Sequence, residues 1–328
     1  MKGNDLVLFA LDASRAFGEA VSRELGVPLA AHEEREFEDR EHKTRSLANV
    51  RGRDVFVVHS LYADATQSGN DKLCRLLFFI GALRDAAAGR VTAIVPYLAY
   101  ARKDRKTKPR DPVTTRYVAS MFEAVGTDCV VTLDVHNPAA FENAFRCRTQ
   151  ELEANGLFVA HFAPLLAGSA VTVVSPDAGG IKRAEQFRLQ LATVLRQPID
   201  LAFAEKHRSD GKVTGEALVG DVAGKVAIIV DDLISAGSTV ARAAGACVDR
   251  GALRVCAAVS HGIFADTANA VLARAPIDRI VVTDSIPPWQ VTDPSLRAKL
   301  TVVSAAPLFA EAIRRIHDGG SIVELLGA

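Results

Sequence analysis

Residues 226–240, VAIIVDDLISAGSTV, decide the reading of the fold. An apolar run, Val-Ala-Ile-Ile-Val, leads directly into two carboxylates, Asp231 and Asp232. A short run rich in β-branched residues reads as a buried parallel strand, and this strand is expected to end at the aspartates. Ser235, Ala236, Gly237, Ser238 and Thr239 follow, and then an alanine-rich helical pattern. Ligands of open α/β sheets bind beyond the carboxyl ends of the strands. No side chain larger than threonine stands in the loop, so its N–H groups lie uncovered at the start of a helix, where anions are favoured. The expected guest is a phosphate, with hydroxyl donors from Ser235, Ser238 and Thr239. Asp231 and Asp232 would hold sugar hydroxyls or a cation. The plain alternative is an ordinary strand–helix joint whose Asp and Ser only cap the helix.

Around this stretch the chain reads as α/β. With 328 residues it has room for two domains with full cores, and 49% hydrophobic residues argue against disorder. Lys plus Arg equals Asp plus Glu at 39 each, which argues against general nucleic-acid binding. The five cysteines are odd in number and form no CxxC pair, so a reducing compartment is expected, with no zinc site and no disulfide framework. No apolar stretch is long enough to cross a bilayer, and the N-terminal LVLFAL reads as a strand rather than a signal peptide. A cytoplasmic location is expected.

Strands are expected at 6–11, 55–58, 91–95, 129–133, 171–174, 226–230, 255–259 and 280–283, with a short one at 200–204. Ser14 is expected to cap the first helix, and a polar loop at 64–71 to precede a helix at 73–88. The charged run 33–46, EEREFEDREHKTRS, reads as a solvated face, with Phe37 its odd member. GRDVFVVHS, GRVTAIVPY and DCVVTLDVH find counterparts, in the same order, in GKVAIIVDD, LRVCAAVSH and DRIVVTDSI. This order predicts two related α/β domains, 1–152 and 153–328, with the last helix packing back on the first.

Further constellations lie at expected strand ends. PYLAYARKDRKTK (96–108) gathers Arg102, Lys103, Arg105, Lys106 and Lys108, donors that suit a polyphosphate or an ordinary basic surface. No Walker A loop is present. Asp134-Val135-His136 offers an imidazole that suits a metal, a phosphate or a purely structural role. In SPDAGG (175–180) the glycines admit a ligand to the backbone, with Asp177 as a ligand or an N-cap. The charged segment Glu205 to Lys212 reads as a solvated hairpin tip, or as a mobile lid bringing Lys206 and Arg208 to a phosphoryl group.

The 226–240 loop resembles the phosphoribosyl-diphosphate loop of type I phosphoribosyltransferases. PYLAYARKDRK, LDVH, SPDAGG and VDDLISAGST in this order resemble the ribose-phosphate diphosphokinases over nearly the whole chain. The resemblance implies two tandem domains of type I phosphoribosyltransferase-like fold, each a mainly parallel sheet flanked by helices. It implies Mg²⁺-dependent transfer of the diphosphate of ATP to ribose 5-phosphate, in a homo-oligomer with a shared adenine site and no nucleic-acid or membrane partner. By the same resemblance, Arg102, Lys103 and Arg105 fall on the ATP stretch. His136 and Asp177 fall on cation contacts, His136 also on the nucleotide. Asp231, Asp232, Ser235, Ala236, Gly237, Ser238 and Thr239 fall on the ribose 5-phosphate site, and Lys206 and Arg208 on the catalytic loop. Phe37, Asp39 and Glu41 fall on the segment that reaches the adenine of a neighbouring subunit.

The chain departs from the family pattern at Arg40, where Gly is usual, at Lys103, often Gln, and at Ser235-Ala236, often Asp-Thr. Residues 62–71 and 106–112 also differ. The alternatives are a phosphoribosyltransferase that consumes phosphoribosyl diphosphate and a non-catalytic regulatory partner of a synthetase. The first has no need of PYLAYARKDRK, and the second is free to lose Lys206 and Arg208.

Overall fold

The computed structural model describes residues 5–209, 212–265 and 267–326. The chain divides into two compact units, Met1–Glu153 with Ala305–Ala328, and Ala154–Ser304.

In the first unit, β1 (Leu6–Ala10) leads through a 3-10 turn (Asp12–Ser14) into α1 (Arg15–Leu25). There follow β2 (His32–Glu36), β3 (His42–Ser46), β4 (Asp54–Val58), α2 (Gly69–Asp85) and β5 (Arg90–Val95). The run closes with α3 (Thr114–Ala124), β6 (Cys129–Leu133), α4 (Pro138–Ala144) and β7 (Arg148–Leu152). The main sheet has the order β1-β4-β5-β6-β7, and its pairings are parallel. β4 and β6 are buried at every position, as parallel strands covered on both faces are.

Three expectations for this unit are corrected. The charged run is not merely a solvated face. It is an antiparallel ribbon, β2–β3, whose charges are met across strands by Arg45–Glu33 at 2.7 Å and from α2 by Arg75–Glu36. Ser14 does not cap α1 with its side chain, because its hydroxyl lies 3.1 Å from His59 Nδ1 and accepts from the Ser60 N–H at 2.9 Å. The helix expected from 73 starts at Gly69, since Ser68 and Asp71 form a reciprocal capping box. The segment before it folds inward. Lys72, fully buried, places its ammonium 2.6 Å from Asp64 and 3.5 Å above the Tyr62 ring. Burial opposes the Asp64 charge, but hydrogen bonds from Lys72 and Thr66 bring its carboxyl down to about 2.

At the ribbon tip Arg40 is left-handed, with φ 70°. Glycine adopts this conformation without a Cβ penalty, which accounts for its being usual there.

The second unit holds α5 (Asn155–Leu166), β8 (Val171–Ser175), a 3-10 turn (Ala178–Gly180), α6 (Ile181–Leu195), β9 (Asp200–Ser209) and β10 (Lys212–Val219). It continues through β11 (Val226–Ile234), α7 (Ser238–Asp249), β12 (Arg254–Gly262), α8 (Ala268–Arg274), β13 (Arg279–Thr283), α9 (Pro294–Lys299) and β14 (Leu300–Val303). The sheet order is β10-β9-β8-β11-β12-β13-β14, antiparallel at the β9–β10 pair and parallel elsewhere. The β9–β10 ladder takes up much of the hairpin tip expected from Glu205 to Lys212: residues 205–209 belong to β9 and Lys212 to β10. Lys206 pairs with Glu216 and Arg208 with Val213, while residues 210–211 lie outside the described part of the structure.

The two units repeat one plan: β1-β4-β5-β6-β7 and β8-β11-β12-β13-β14 run in the same parallel order. Between the first and second strand of each series comes a hairpin. In the second unit it joins the main sheet through β8 and β9, and in the first it forms a sheet of its own.

After β14 the chain forms α10 (Ala306–Asp318), which packs on α1 with Phe17 edge-on to Phe309 at 5.5 Å. His317 Nδ1 lies 2.7 Å from Asp54, a residue that also pairs with Arg90.

α1 approaches β1 so closely that a Cβ on Gly18 would lie 2.1 Å from that of Ala10. Gly18→Ala is therefore expected to destabilise the protein by about 1–3 kcal/mol through overpacking. Urea unfolding checks this, and an unchanged midpoint would contradict the packing.

Candidate active site

β8 and β11 are neighbours whose chains leave in opposite directions, β8 by α6 to β9 and β11 by α7 to β12. Such a divergence opens a crevice at the carboxyl ends of the strands. Pairing of β11 with β8 stops at Ile229–Val174, but pairing with β12 runs on to Ile234–Gly262. Asp231 and Asp232 therefore do not end the strand, as expected, but stand within it, where β8 has already turned away.

Both carboxylates are largely buried. Arg183, from the first turn of α6, sets its Nη1 3.3 Å from Asp232 and 3.8 Å from Asp231. Burial, and then the neighbouring Asp232, push the Asp231 carboxyl well above its ordinary range, against the pull of Arg183. Two acidic groups are crowded side by side next to the Arg183 guanidinium. The donor set therefore fits a cation together with hydroxyl groups.

The small-residue loop follows at once. Ser235 and Ala236 are half-buried, Gly237 buried, Ser238 exposed and Thr239 half-buried. The Ala265 N–H donates to the Ser235 carbonyl at 3.0 Å, pinning the loop to the segment after β12. Gly237, at φ 78°, is the N-cap of α7, and no side chain caps this helix. A Cβ on Gly237 would lie 2.7 Å from Leu272, so the position requires glycine on two counts. The leading N–H groups of a 12-residue helix thus stand behind a floor of small side chains.

Asp177 opens the turn after β8 and accepts from the Gly179 and Gly180 N–H groups at 2.9 and 3.2 Å on one oxygen. It is an N-cap, whatever else it does. Gly180 is held to glycine by Ser175 Oγ, 2.8 Å from where its Cβ would be. The side chains of Lys206 and Arg208 lie outside the described part of the structure, though their backbone belongs to β9.

In the first unit the basic segment follows β5. Arg102 and Arg105 are exposed. Lys103 is turned into its own loop, donating to Asp111 at 2.7 Å and Thr107 at 3.0 Å. The Lys103 bond, and a second from the Thr107 hydroxyl, hold the Asp111 carboxyl below its usual range. His136 is exposed just beyond β6. Two residues with no role in the sequence reading link these parts: Asn137 caps α4 and donates to Asp104 at 2.7 Å. The basic segment and His136 thus share one end of the first sheet. Phe37, Asp39 and Glu41 are at the tip of the β2–β3 ribbon. Arg35 lies 5.1 Å from the half-exposed Phe37 ring, and Asp39 accepts from the Glu41 N–H at 3.1 Å.

A parallel α/β sheet with a switch-point crevice, paired carboxylates and an uncapped helix behind small residues gives an α/β fold whose crevice suits an anion. Residues 6–126 match the N-terminal domain of ribose phosphate pyrophosphokinase, and residues 204–327 the phosphoribosyl synthetase-associated domain. The ribose-phosphate pyrophosphokinase of Caldanaerobacter subterraneus subsp. tengcongensis is 38% identical over 323 residues, 98% of either chain. That of Granulibacter bethesdensis is 35% identical over 97% of this chain and 99% of its own. The crystal structure of phosphoribosylpyrophosphate synthetase from Mycobacterium smegmatis superposes with a TM-score of 0.86 at 34% identity, over 96% of this chain and all of that one. The chain belongs to the ribose-phosphate pyrophosphokinase family, and is an enzyme of the diphosphotransferase class with phosphoribosyltransferase-like α/β units. Among the described residues no helix is long and apolar enough to cross a membrane.

The raised Asp231 carboxyl sets a pH dependence. Its folded form titrates above the unfolded value of 3.8, so its contribution to stability is fully present below that value and is lost as pH rises through the folded one. Asp231→Asn removes this loss. Its melting temperature should exceed that of the wild type at pH 8, with the gap narrowing towards pH 4. A variant less stable at both values would contradict the cost of burying the Asp231 charge.

Proposed function

We propose that the enzyme transfers the β,γ-diphosphate of ATP to the 1-hydroxyl of ribose 5-phosphate, giving phosphoribosyl diphosphate and AMP. The observation that carries this reading is the coincidence of an uncapped helix N-terminus with the Asp231–Asp232 pair at one switch point. The N–H groups of 237–240 and the hydroxyls of Ser235, Ser238 and Thr239 take the 5-phosphate. Asp231 and Asp232 orient the ribose hydroxyls. The names of the relatives supply the reaction class.

In the reaction the anomeric oxygen attacks the β-phosphorus in line. The new O–P bond forms as the bond from the β-phosphorus to the α–β bridging oxygen breaks, and the hydroxyl proton leaves to solvent. AMP departs with that bridging oxygen. Such a transfer asks the protein mainly for positioning and charge neutralisation. Arg102 and Arg105 hold the polyphosphate, with Lys103 bracing their loop through Asp111. Lys206 and Arg208 meet the charge that shifts on the β-phosphoryl group.

Mg²⁺ would be held by His136 and Asp177 on the nucleotide side, and a cation would help Asp231 and Asp232 orient the ribose; when bound, it would neutralise phosphate charge. The tip residues Phe37, Asp39 and Glu41 suit an adenine of a second copy, since the Phe37 ring is offered to solvent. The reading therefore includes a homo-oligomer. The presence of PYLAYARKDRK disfavours a simple phosphoribosyltransferase.

A coupled assay with Mg²⁺ and ATP tests the proposal: AMP should appear only when ribose 5-phosphate is added. Lys206→Ala should lower turnover about a hundredfold, the equivalent of roughly 3 kcal/mol of barrier. AMP release independent of the sugar, or a Lys206→Ala enzyme of normal rate, would overturn the reading.

A further inference from the structure

At the carboxyl end of β1, in the first unit, stands a cluster that the transfer reaction does not use. Asp12 comes from the 3-10 turn after β1, and His32 and Glu34 from one face of β2, two residues apart. One imidazole nitrogen and two carboxylate oxygens all lie within 4.8 Å of one another. We propose that Asp12, His32 and Glu34 bind a divalent transition-metal ion, Mn²⁺ or Zn²⁺, distinct from the Mg²⁺ of the reaction.

The ligands are preorganised. The His32 ring is edge-on to Phe9 at 6.2 Å and 5.6 Å from Phe79, so packing fixes its plane. The His32 and Glu34 side chains are 3% and 7% exposed, whereas that of Asp12 is 56% exposed and gives an entry path. The polar contacts suit an exchange of a proton for a metal. Glu34 Oε1 accepts from the Asp12 N–H at 2.5 Å and lies 3.1 Å from His32 Nε2, itself 4.0 Å from Asp12 Oδ1. Arg15 pairs with Asp12 at 2.8 Å, and Arg75 stands 3.9 Å from the other Glu34 oxygen. Both cations offset the carboxylates, and Arg15 Nη2 sits on the Asp12 Oδ1 that faces His32.

The donor chemistry selects the ion. An imidazole nitrogen with two carboxylates suits Mn²⁺ or Zn²⁺. Position supports a bracing role. In the repeat, LDAS after β1 corresponds to PDAG after β8, and each leads into a 3-10 turn. An ion here would fasten that turn to the root of the β2–β3 ribbon.

The test uses the full-length protein, stripped with chelator and held without nucleotide or sugar phosphate. Mn²⁺ binding is counted by electron paramagnetic resonance, and Zn²⁺ binding is followed by calorimetry and melting temperature. The wild type should bind one ion that Asp12→Asn and Glu34→Gln each weaken about tenfold or more, with loss of the thermal gain. His136→Ala and Asp177→Ala should retain it. Asp12 is exposed, so its variant tests the site without disturbing the core. A wild type that binds no such ion, or Asp12→Asn and Glu34→Gln proteins that bind it as tightly, would overturn the proposal. Because neither substrate is present, this outcome is independent of the diphosphotransfer reading.

Discussion

The parting of β8 from β11 is the constraint on which the second unit depends. β11 gives up its β8 partner at Ile229 and keeps β12 as far as Ile234. The one-sided segment between them holds two acidic residues in a buried place, with Arg183 as the guanidinium beside both. The cost shows as a carboxyl forced above its ordinary range. A protein accepts such a charge where a ligand later compensates it, and strain of this kind gathers at functional sites. The loop that follows obeys the same logic. Gly237 is required both by its backbone conformation and by Leu272, and a residue with a capping side chain would compete with an anion for the helix N–H groups.

The first unit shows what the same plan becomes under other sequence choices. At the end of β4, the strand in the place of β11, stand His59 and Ser60 rather than two aspartates, and they bond to Ser14. Burial, and then Lys72 and Arg75, bring the His59 imidazole down to about 3, so it stays neutral. The stretch from Tyr62 to Asp71 that departs from the family pattern supplies the partners of buried Lys72. It is a packed ionic lining rather than a freely varying loop.

Much of this was legible in the sequence because parallel strands write themselves as unbroken apolar runs. VFVV, VVTL and VAIIV each proved to be interior strands, and the shared order of three segments matches the shared order of the two sheets. The floor of small residues at 235–239 was equally plain, since its chemistry is local. What escaped depends on neighbours distant in sequence. β7 reads RTQEL, polar enough to pass for a loop, and is a strand only because β6 lies beside it. The extension of β11 through Asp231 and Asp232 is set by β12. Lys103 resembled a phosphate donor until Asp111, eight residues on, took its ammonium. Asp12, His32 and Glu34 meet only because β1 and the ribbon come together.

The central claim is that the loop between β11 and α7 receives the phosphate of ribose 5-phosphate. Hydrogen–deuterium exchange of the full-length protein with ribose 5-phosphate, read at residues 235–241, tests it most directly. The account predicts slowed exchange of these amides with the sugar phosphate and none with ribose alone, and loss of the protection in Gly237→Ala. Unaltered exchange at 235–241 under saturating ribose 5-phosphate would contradict it.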